Sequence, residues 1–163
     1  MKHPETIESK IFLLKELQSR IRQWRLLGKT IAFTNGCFDI LHRGHIYSLS
    51  QAAKEADILV VGINSDKSVK KLKGNNRPVV DEYSRAIILA SLVFVEAIII
   101  FEEETPLELI KSIKPDVLVK GGDYKIEEIA GAKEVIASGG RVVLNPILEG
   151  YSTSAILKKL SGS

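Results

Sequence analysis

From Lys29 to Leu160, short apolar runs alternate with segments whose apolar residues recur at helical spacing, and this alternation leaves few possible folds. Strands are expected near residues 30–34 and over 58–63, 97–101, 116–120 and 141–144. Helices are expected from Ile46 to Glu55, over 81–94, from Thr105 to just before Pro115, over 127–137, and over 155–160 at the end. Thr105-Pro106-Leu107-Glu108 reads as a capping box with proline at the first helical position, and Gly139-Gly140 closes the helix before the last strand. Short strands joined by helices pair in parallel through right-handed crossovers, so the expected fold is α/β: a doubly wound, five-stranded parallel sheet of Rossmann-like type. Such a sheet binds ligands at the carboxyl ends of its strands. The polar and glycine-rich segments follow strands as that rule requires: 34–45 after the first, Asn64-Ser65-Asp66 after the second, Gly121 to Tyr124 after the fourth, and Gly150 to Ser154 beyond the fifth.

Ahead of this pattern, Ile7, Ile11, Leu14, Leu17, Ile21, Trp24 and Leu27 recur at helical intervals up to Gly28, which suits a helix C-cap. Residues 1–28 are therefore read as one amphipathic helix packed on a domain formed by residues 29–163. At 163 residues and 45% hydrophobic, the chain can bury one good core but not two. A net charge of +3 is too mild for a nucleic-acid surface. The single cysteine allows no intramolecular disulfide, and no apolar run approaches the roughly 18 residues of a membrane span. The first residues, polar and mixed in charge, are unlike a secretory signal. A cytoplasmic protein with neither a nucleic-acid nor a membrane partner is expected.

The turn Thr34-Asn35-Gly36-Cys37-Phe38-Asp39-Ile40-Leu41-His42-Arg43-Gly44-His45 joins the first strand to a helix. Free N–H groups and the positive end of the helix dipole make such a turn a phosphate site, and Gly36 and Gly44 let a ligand approach the backbone. His42 and His45, three apart, share one face if both lie in the first helical turn. A metal site is disfavoured, because the only other histidine is His3, the only cysteine is Cys37, and there is no HExxH. One satisfied core histidine and one exposed one is the plain alternative; a pair of hydrogen-bond donors to phosphate uses every feature of the turn. With no GxGxxG and no GxxxxGK[ST], dinucleotide and P-loop readings fail, and Cys37 has no basic partner in sequence that would make it a nucleophile.

Lys67, Lys70, Lys71, Lys73 and Arg77 crowd around Gly74-Asn75-Asn76, a composition that fits a flexible loop, either merely solvated or acting on phosphate. Lys120-Gly121-Gly122-Asp123-Tyr124 is either a plain turn or a place where backbone groups read a nucleobase. Ser152-Thr153-Ser154 precedes the terminal helix, and capping accounts for one of these hydroxyls but not all three.

The segment 36–45 resembles the signature of the HxGH nucleotidyltransferase superfamily, the cytidylyltransferase-like enzymes. Within it, Lys70-Lys71-Leu72-Lys73-Gly74 with Arg77-Pro78-Val79, and Lys120 to Tyr124, resemble D-glycero-β-D-manno-heptose 1-phosphate adenylyltransferases. Ser152 to Ser154 resemble the superfamily's second signature, with Tyr151 standing where a smaller residue is usual. The resemblance implies transfer of AMP from ATP to the sugar 1-phosphate, with Mg²⁺ bound along with ATP and no metal held by the protein alone. It implies that His42, His45, Lys70 and Lys73 act in catalysis, with lysines of a loop over the phosphates neutralising departing pyrophosphate. It places the nucleotide on Asn35, Gly36, Cys37, Phe38, Asp39, Gly44, Lys120, Gly121, Gly122, Asp123, Tyr124, Ser152, Thr153 and Ser154. A homodimer is the expected assembly, and with no kinase domain fused the sugar phosphate would come from other proteins. A CTP-dependent enzyme acting on a polyol phosphate such as glycerol 3-phosphate, and a non-catalytic nucleotide sensor, stay open as alternatives.

Overall fold

The computed structural model describes residues 5–160. His3 and the first four positions of the expected N-terminal helix lie outside the described residues. Strands β1 (Ile31–Gly36), β2 (Ile58–Asn64), β3 (Ala97–Phe101), β4 (Val117–Gly121) and β5 (Arg141–Asn145) form one all-parallel sheet in the order β3-β2-β1-β4-β5. The helices are α1 (Glu5–Glu8), α2 (Leu14–Leu26), α3 (Arg43–Ala53), α4 (Asp66–Lys73), α5 (Glu82–Ala90), α6 (Leu107–Ile113), α7 (Ala132–Ala137) and α8 (Thr153–Leu160). The doubly wound parallel fold expected from the sequence is the fold observed.

The period-2 alternation of each strand divides the core between the two faces of the sheet. Ile31, Phe33, Ile58 and Val60 point to one face and pack with Leu17 and Ile21 of α2, Ile110 and Ile113 of α6 and Val135 of α7. Ala32, Leu59, Val61 and Ile63 point to the other and pack with Leu49 and Ala52 of α3 and Ala86 and Leu89 of α5. Each large apolar side chain so buried contributes about 1.5–3 kcal/mol. Gly62 belongs to this packing, since a Cβ there would stand 2.8 Å from Phe33 Cζ. Strand order reverses between β1 and β4, whose crossovers run in opposite directions, and this leaves a crevice above their carboxyl ends.

The structure departs from the sequence expectation in several elements. The single N-terminal helix is two, separated by residues 9–13, within which Ile98 donates to the Lys10 carbonyl (2.7 Å) and Phe12 donates to the Ile98 carbonyl (2.9 Å). The exposed edge of β3 carries backbone groups that want partners, and this short extended piece supplies them. α2 then starts where the Leu13 N–H donates to Glu16 Oε2 (3.0 Å), and Gly28 ends it at φ +72°. Leu14 and Leu27, expected on the apolar face, are exposed.

The lysine-rich segment is not a loop but α4. Ser65 Oγ accepts from the Ser68 N–H (3.1 Å), Val69 is fully buried, and Gly74 at φ +95° ends the helix. Residues 127–137 are not one helix either: a 3₁₀ turn at Ile126–Glu128 precedes α7, because Gly131 sits at φ +87°, where the helix cannot continue; a Cβ there would also stand 2.5 Å from Ile110 Cδ1. Pro106, rather than Thr105, occupies the N-cap of α6, and no side chain caps that helix.

Candidate active site

The crevice at the strand reversal is a cleft of about 710 Å³. Asn35 and Gly36 at the end of β1, then Cys37, Phe38 and Asp39, form its floor; His42, Gly44, His45 and Ser48 come from the start of α3, and Lys73 ends α4 beside Arg77. Lys120, Gly121 and Tyr124 come from the β4 end, and Tyr151, Ser152, Thr153 and Ser154 from the approach to α8. Gly122 and Asp123 line a smaller adjoining cavity with Tyr124 and Glu128, and Lys70 lines neither.

His42 is the N-cap of α3, and its Nδ1 accepts from the Gly44 N–H at 3.1 Å. That bond uses the Nδ1 lone pair and assigns the proton to Nε2, which is left as a donor. The His45 ring stacks on His42 with centroids 3.8 Å apart and meets Phe38 edge-on at 5.3 Å. Its Nδ1 is buried without a hydrogen-bond partner among the described residues. Burial lowers the pKa of His42. Burial, and then the His42 ring beside it, push His45 down to about 4, against an opposing contribution from the Ile40 backbone. Both rings are therefore neutral near pH 7, and stacked imidazoles this close cannot easily share two charges. Gly44 is required by the same packing, since a Cβ would come within 3.0 Å of the His42 ring and of Tyr151 Cβ.

Asp39 is buried, and its carboxylate accepts from the Val79 N–H (2.8 and 3.0 Å), the Val80 N–H (2.9 Å) and Arg77 Nε. Burial alone would raise its pKa, but the two N–H groups and the guanidinium outweigh burial and hold the carboxyl below its usual range. Asp39 thereby fixes the turn to the 77–80 segment and aligns Arg77 beside the cleft. Behind the turn, Arg85 is buried and donates to the carbonyls of Cys37 (2.6 Å) and Val80 (2.9 Å) and to Asp66 Oδ1 (2.8 Å). Burial raises the pKa of the Cys37 thiol, which keeps it protonated and a poor nucleophile.

Lys120 is half-enclosed at the end of β4, and burial lowers its pKa; its Nζ lies 5.6 Å from the Tyr124 ring centre. Ser152 Oγ accepts from the Ala155 N–H (3.1 Å), which caps α8, while neither the Thr153 nor the Ser154 hydroxyl is engaged among the described residues. Tyr151 is braced by Arg43, whose Nη1 donates to its hydroxyl at 3.3 Å. Arg85 and Glu104 belong to the site or its support and were not singled out from sequence, whereas Arg77 and Asn64 entered only as members of the basic segment and of the polar segment after the second strand. Arg85 did leave a signal, a lone charge before the apolar run Ala86 to Ala90.

The family model described as cytidylyltransferase-like matches residues 33–159. The chain is 51% identical over 152 residues to the bifunctional protein HldE of Koribacter versatilis, a match covering 93% of this chain and 31% of that protein. It is 52% identical over 147 residues to HldE of Nitrobacter hamburgensis, over 90% of this chain and 30% of that protein. It thus spans about a third of the length of these curated relatives. Among solved structures, a lipopolysaccharide core biosynthesis protein from Thermoplasma volcanium superposes with a TM-score of 0.61 at 31% identity, covering 77% of this chain and 100% of that one. A pantoate-beta-alanine ligase from Francisella tularensis shares the fold alone, with a TM-score of 0.58 at 16% identity over 93% of this chain and 76% of that one. With a glycine-lined strand-to-helix turn, a stacked histidine pair and a family match running through both, the chain belongs to the cytidylyltransferase-like family of nucleotidyltransferases.

Proposed function

We propose that this domain transfers AMP from ATP to D-glycero-β-D-manno-heptose 1-phosphate, releasing pyrophosphate. An oxygen of the sugar phosphate attacks the α-phosphorus; the new P–O bond forms as the bond to the bridging oxygen breaks, and pyrophosphate leaves with that electron pair. A phosphate nucleophile is already ionised near pH 7, so no general base is needed, and catalysis reduces to alignment and charge stabilisation. The observation that carries this reading is the stacked pair His42 and His45, neutral side chains at the N-cap and first turn of α3 that line the cleft. Lys73, Arg77 and Lys120 supply positive charge around the same space, and Thr153 and Ser154 offer unengaged hydroxyls to the triphosphate. The heptose acceptor rests on the likeness of Lys120 to Tyr124 to the heptose adenylyltransferases and on the relatives at about half identity.

Magnesium fits this site as a companion of the nucleotide. Asp39 is already engaged by three donors, no three His, Cys, Asp or Glu converge among the described residues, and Mg²⁺ favours phosphate oxygens and water. Bound to the triphosphate, it would supply charge neutralisation there. No helix among the described residues is long and apolar enough to cross a membrane. A homodimer is part of the proposal, and light scattering of the purified chain tests it.

The family's cytidylyltransferase-like description favours one second reading, a CTP-dependent enzyme acting on a polyol phosphate. Pyrophosphate release with ATP, CTP, GTP and UTP against heptose 1-phosphate and glycerol 3-phosphate separates the two. Fast turnover of ATP with the heptose phosphate is expected; equal or better use of CTP overturns the assignment.

A further inference from the structure

The carboxylates that line the cleft are Asp39, Glu104 and Glu128. Asp39 is consumed by Arg77, Val79 and Val80, and Glu128 faces the adjoining cavity as well. Glu104 is different: it borders the main cleft alone, and its carboxylate has no hydrogen-bond or ion-pair partner among the described residues. Its position is nevertheless held. Ser68 Oγ of α4 donates to the neighbouring Glu103 carbonyl (3.0 Å), and the buried Pro106 follows at the start of α6.

An unpaired carboxylate repels phosphate, so Glu104 does not belong to the phosphate path lined by the histidines, lysines and arginine of the cleft. What it recognises well is neutral and donor-rich, because each oxygen can accept from a hydroxyl and the pair can take two neighbouring hydroxyls at once. The strand order decides which molecule meets it. Glu104 follows β3, the edge strand on the β2 side of β1, whereas Lys120, Tyr124 and Ser152 to Ser154, the segments assigned to the nucleotide, belong to the β4 and β5 side. Thr105 beside Glu104, and Asn64 at the end of β2, continue the same polar wall.

We propose that Glu104 is a specificity-determining residue that reads hydroxyl groups of the acceptor, making the β3 end of the cleft the subsite for the polyol or sugar part of a phosphorylated acceptor. This rests on the nucleotidyl-transfer reading for the identity of the acceptor but not for its own test. Calorimetric titration of the full chain, saturated with a non-hydrolysable ATP analogue, compares a sugar 1-phosphate with ethyl phosphate, which carries the phosphate without the hydroxyls. Wild type should bind the sugar phosphate more tightly by tenfold or more. Glu104→Ala should abolish that preference by weakening the sugar phosphate while leaving ethyl phosphate equal or tighter, and Glu104→Gln, which keeps one acceptor oxygen, should fall between. Absence of a preference in wild type, equal weakening of both ligands, or an unchanged preference in Glu104→Ala overturns the proposal. Failure of the transfer reading shows separately, as no pyrophosphate release by wild type. Because Glu104 is exposed, the variants should melt with wild type.

Discussion

Removal of the Asp39 carboxylate is the perturbation whose consequence can be worked most directly. In the folded chain the Asp39 side chain is fully buried and the Arg77 side chain is 15% exposed, so the pair is an internal one with little screening. Asp39→Ala leaves the Arg77 charge without its partner, and breaking a buried pair from one side costs about 3–5 kcal/mol. The Val79 and Val80 N–H groups lose their acceptor as well; each costs about 1–3 kcal/mol if water cannot reach it, and a loop that opens to solvent recovers part of this. A net loss of about 4 kcal/mol is expected, which for a domain of this size lowers Tm by roughly 8–16 °C. Asp39→Asn keeps the shape and one acceptor oxygen but not the charge, and roughly half that loss is expected.

The pH dependence supplies a second check on the same residue. The folded-state pKa of Asp39 lies below its unfolded value, so its stabilisation is complete above about pH 3.9 and is lost as pH falls through the folded pKa. The gap in Tm between wild type and Asp39→Asn should therefore be constant from neutral pH down to about 4 and close only below it. Melting by circular dichroism across pH 3–8 measures both effects. If Asp39→Ala melts within 3 °C of wild type, or if the gap closes near pH 6, the buried-clamp argument is refuted.

His45→Ala and His42→Ala should each lower kcat by roughly 10²–10³ with a much smaller change in KM for ATP, since donors fixed at the reacting phosphate act mainly on the transition state; near-normal kcat with lost ATP affinity makes them ground-state binders. Because the folded-state pKa of His45 is about 4, below its unfolded value, its contribution to stability is present above about pH 6.5 and is lost as pH falls toward 4. The fall in wild-type Tm over that window should be smaller in His45→Asn. Lys73→Ala should cut turnover at least tenfold while Lys70→Ala stays within twofold, both within about 0.5 kcal/mol of wild-type stability; equal effects on turnover would show that lining the cleft is not what matters.

The sheet was legible because its signal is local. A run such as Ile58 to Ile63 states its own burial, and the order of strands and helices then dictates parallel pairing. The histidine turn was legible for the same reason, with its glycines, its histidines and the following helix within a dozen residues. α4 was not, because its surface is lysine and what marks it as a helix reduces to a Ser65 cap and the buried Val69. The 3₁₀ break before α7 was hidden as well, since a lone glycine within a helical pattern does not announce the φ of +87° that Gly131 adopts.

What sequence could not supply are the roles that exist only between distant positions. Asp39 lies within the signature turn and reads there as a polar neighbour of the ligand, yet its carboxylate also holds the 77–80 segment through Arg77, Val79 and Val80. Arg85 sits on a helix assigned no chemistry, yet it holds the Cys37 carbonyl and so the geometry of the turn. Both residues convert the basic segment from a loose cover into a fixed wall, and a fixed wall changes the expected chemistry. Positive charge held in place before the reaction stabilises the departing pyrophosphate without reorganising, whereas a mobile loop would first have to be ordered. On the proposed reading, charge along this wall of the cleft is preorganised at Arg77 by Asp39, with Lys73 at the end of a capped helix lining the same cleft. Catalysis should therefore depend more on the integrity of that clamp than on loop closure.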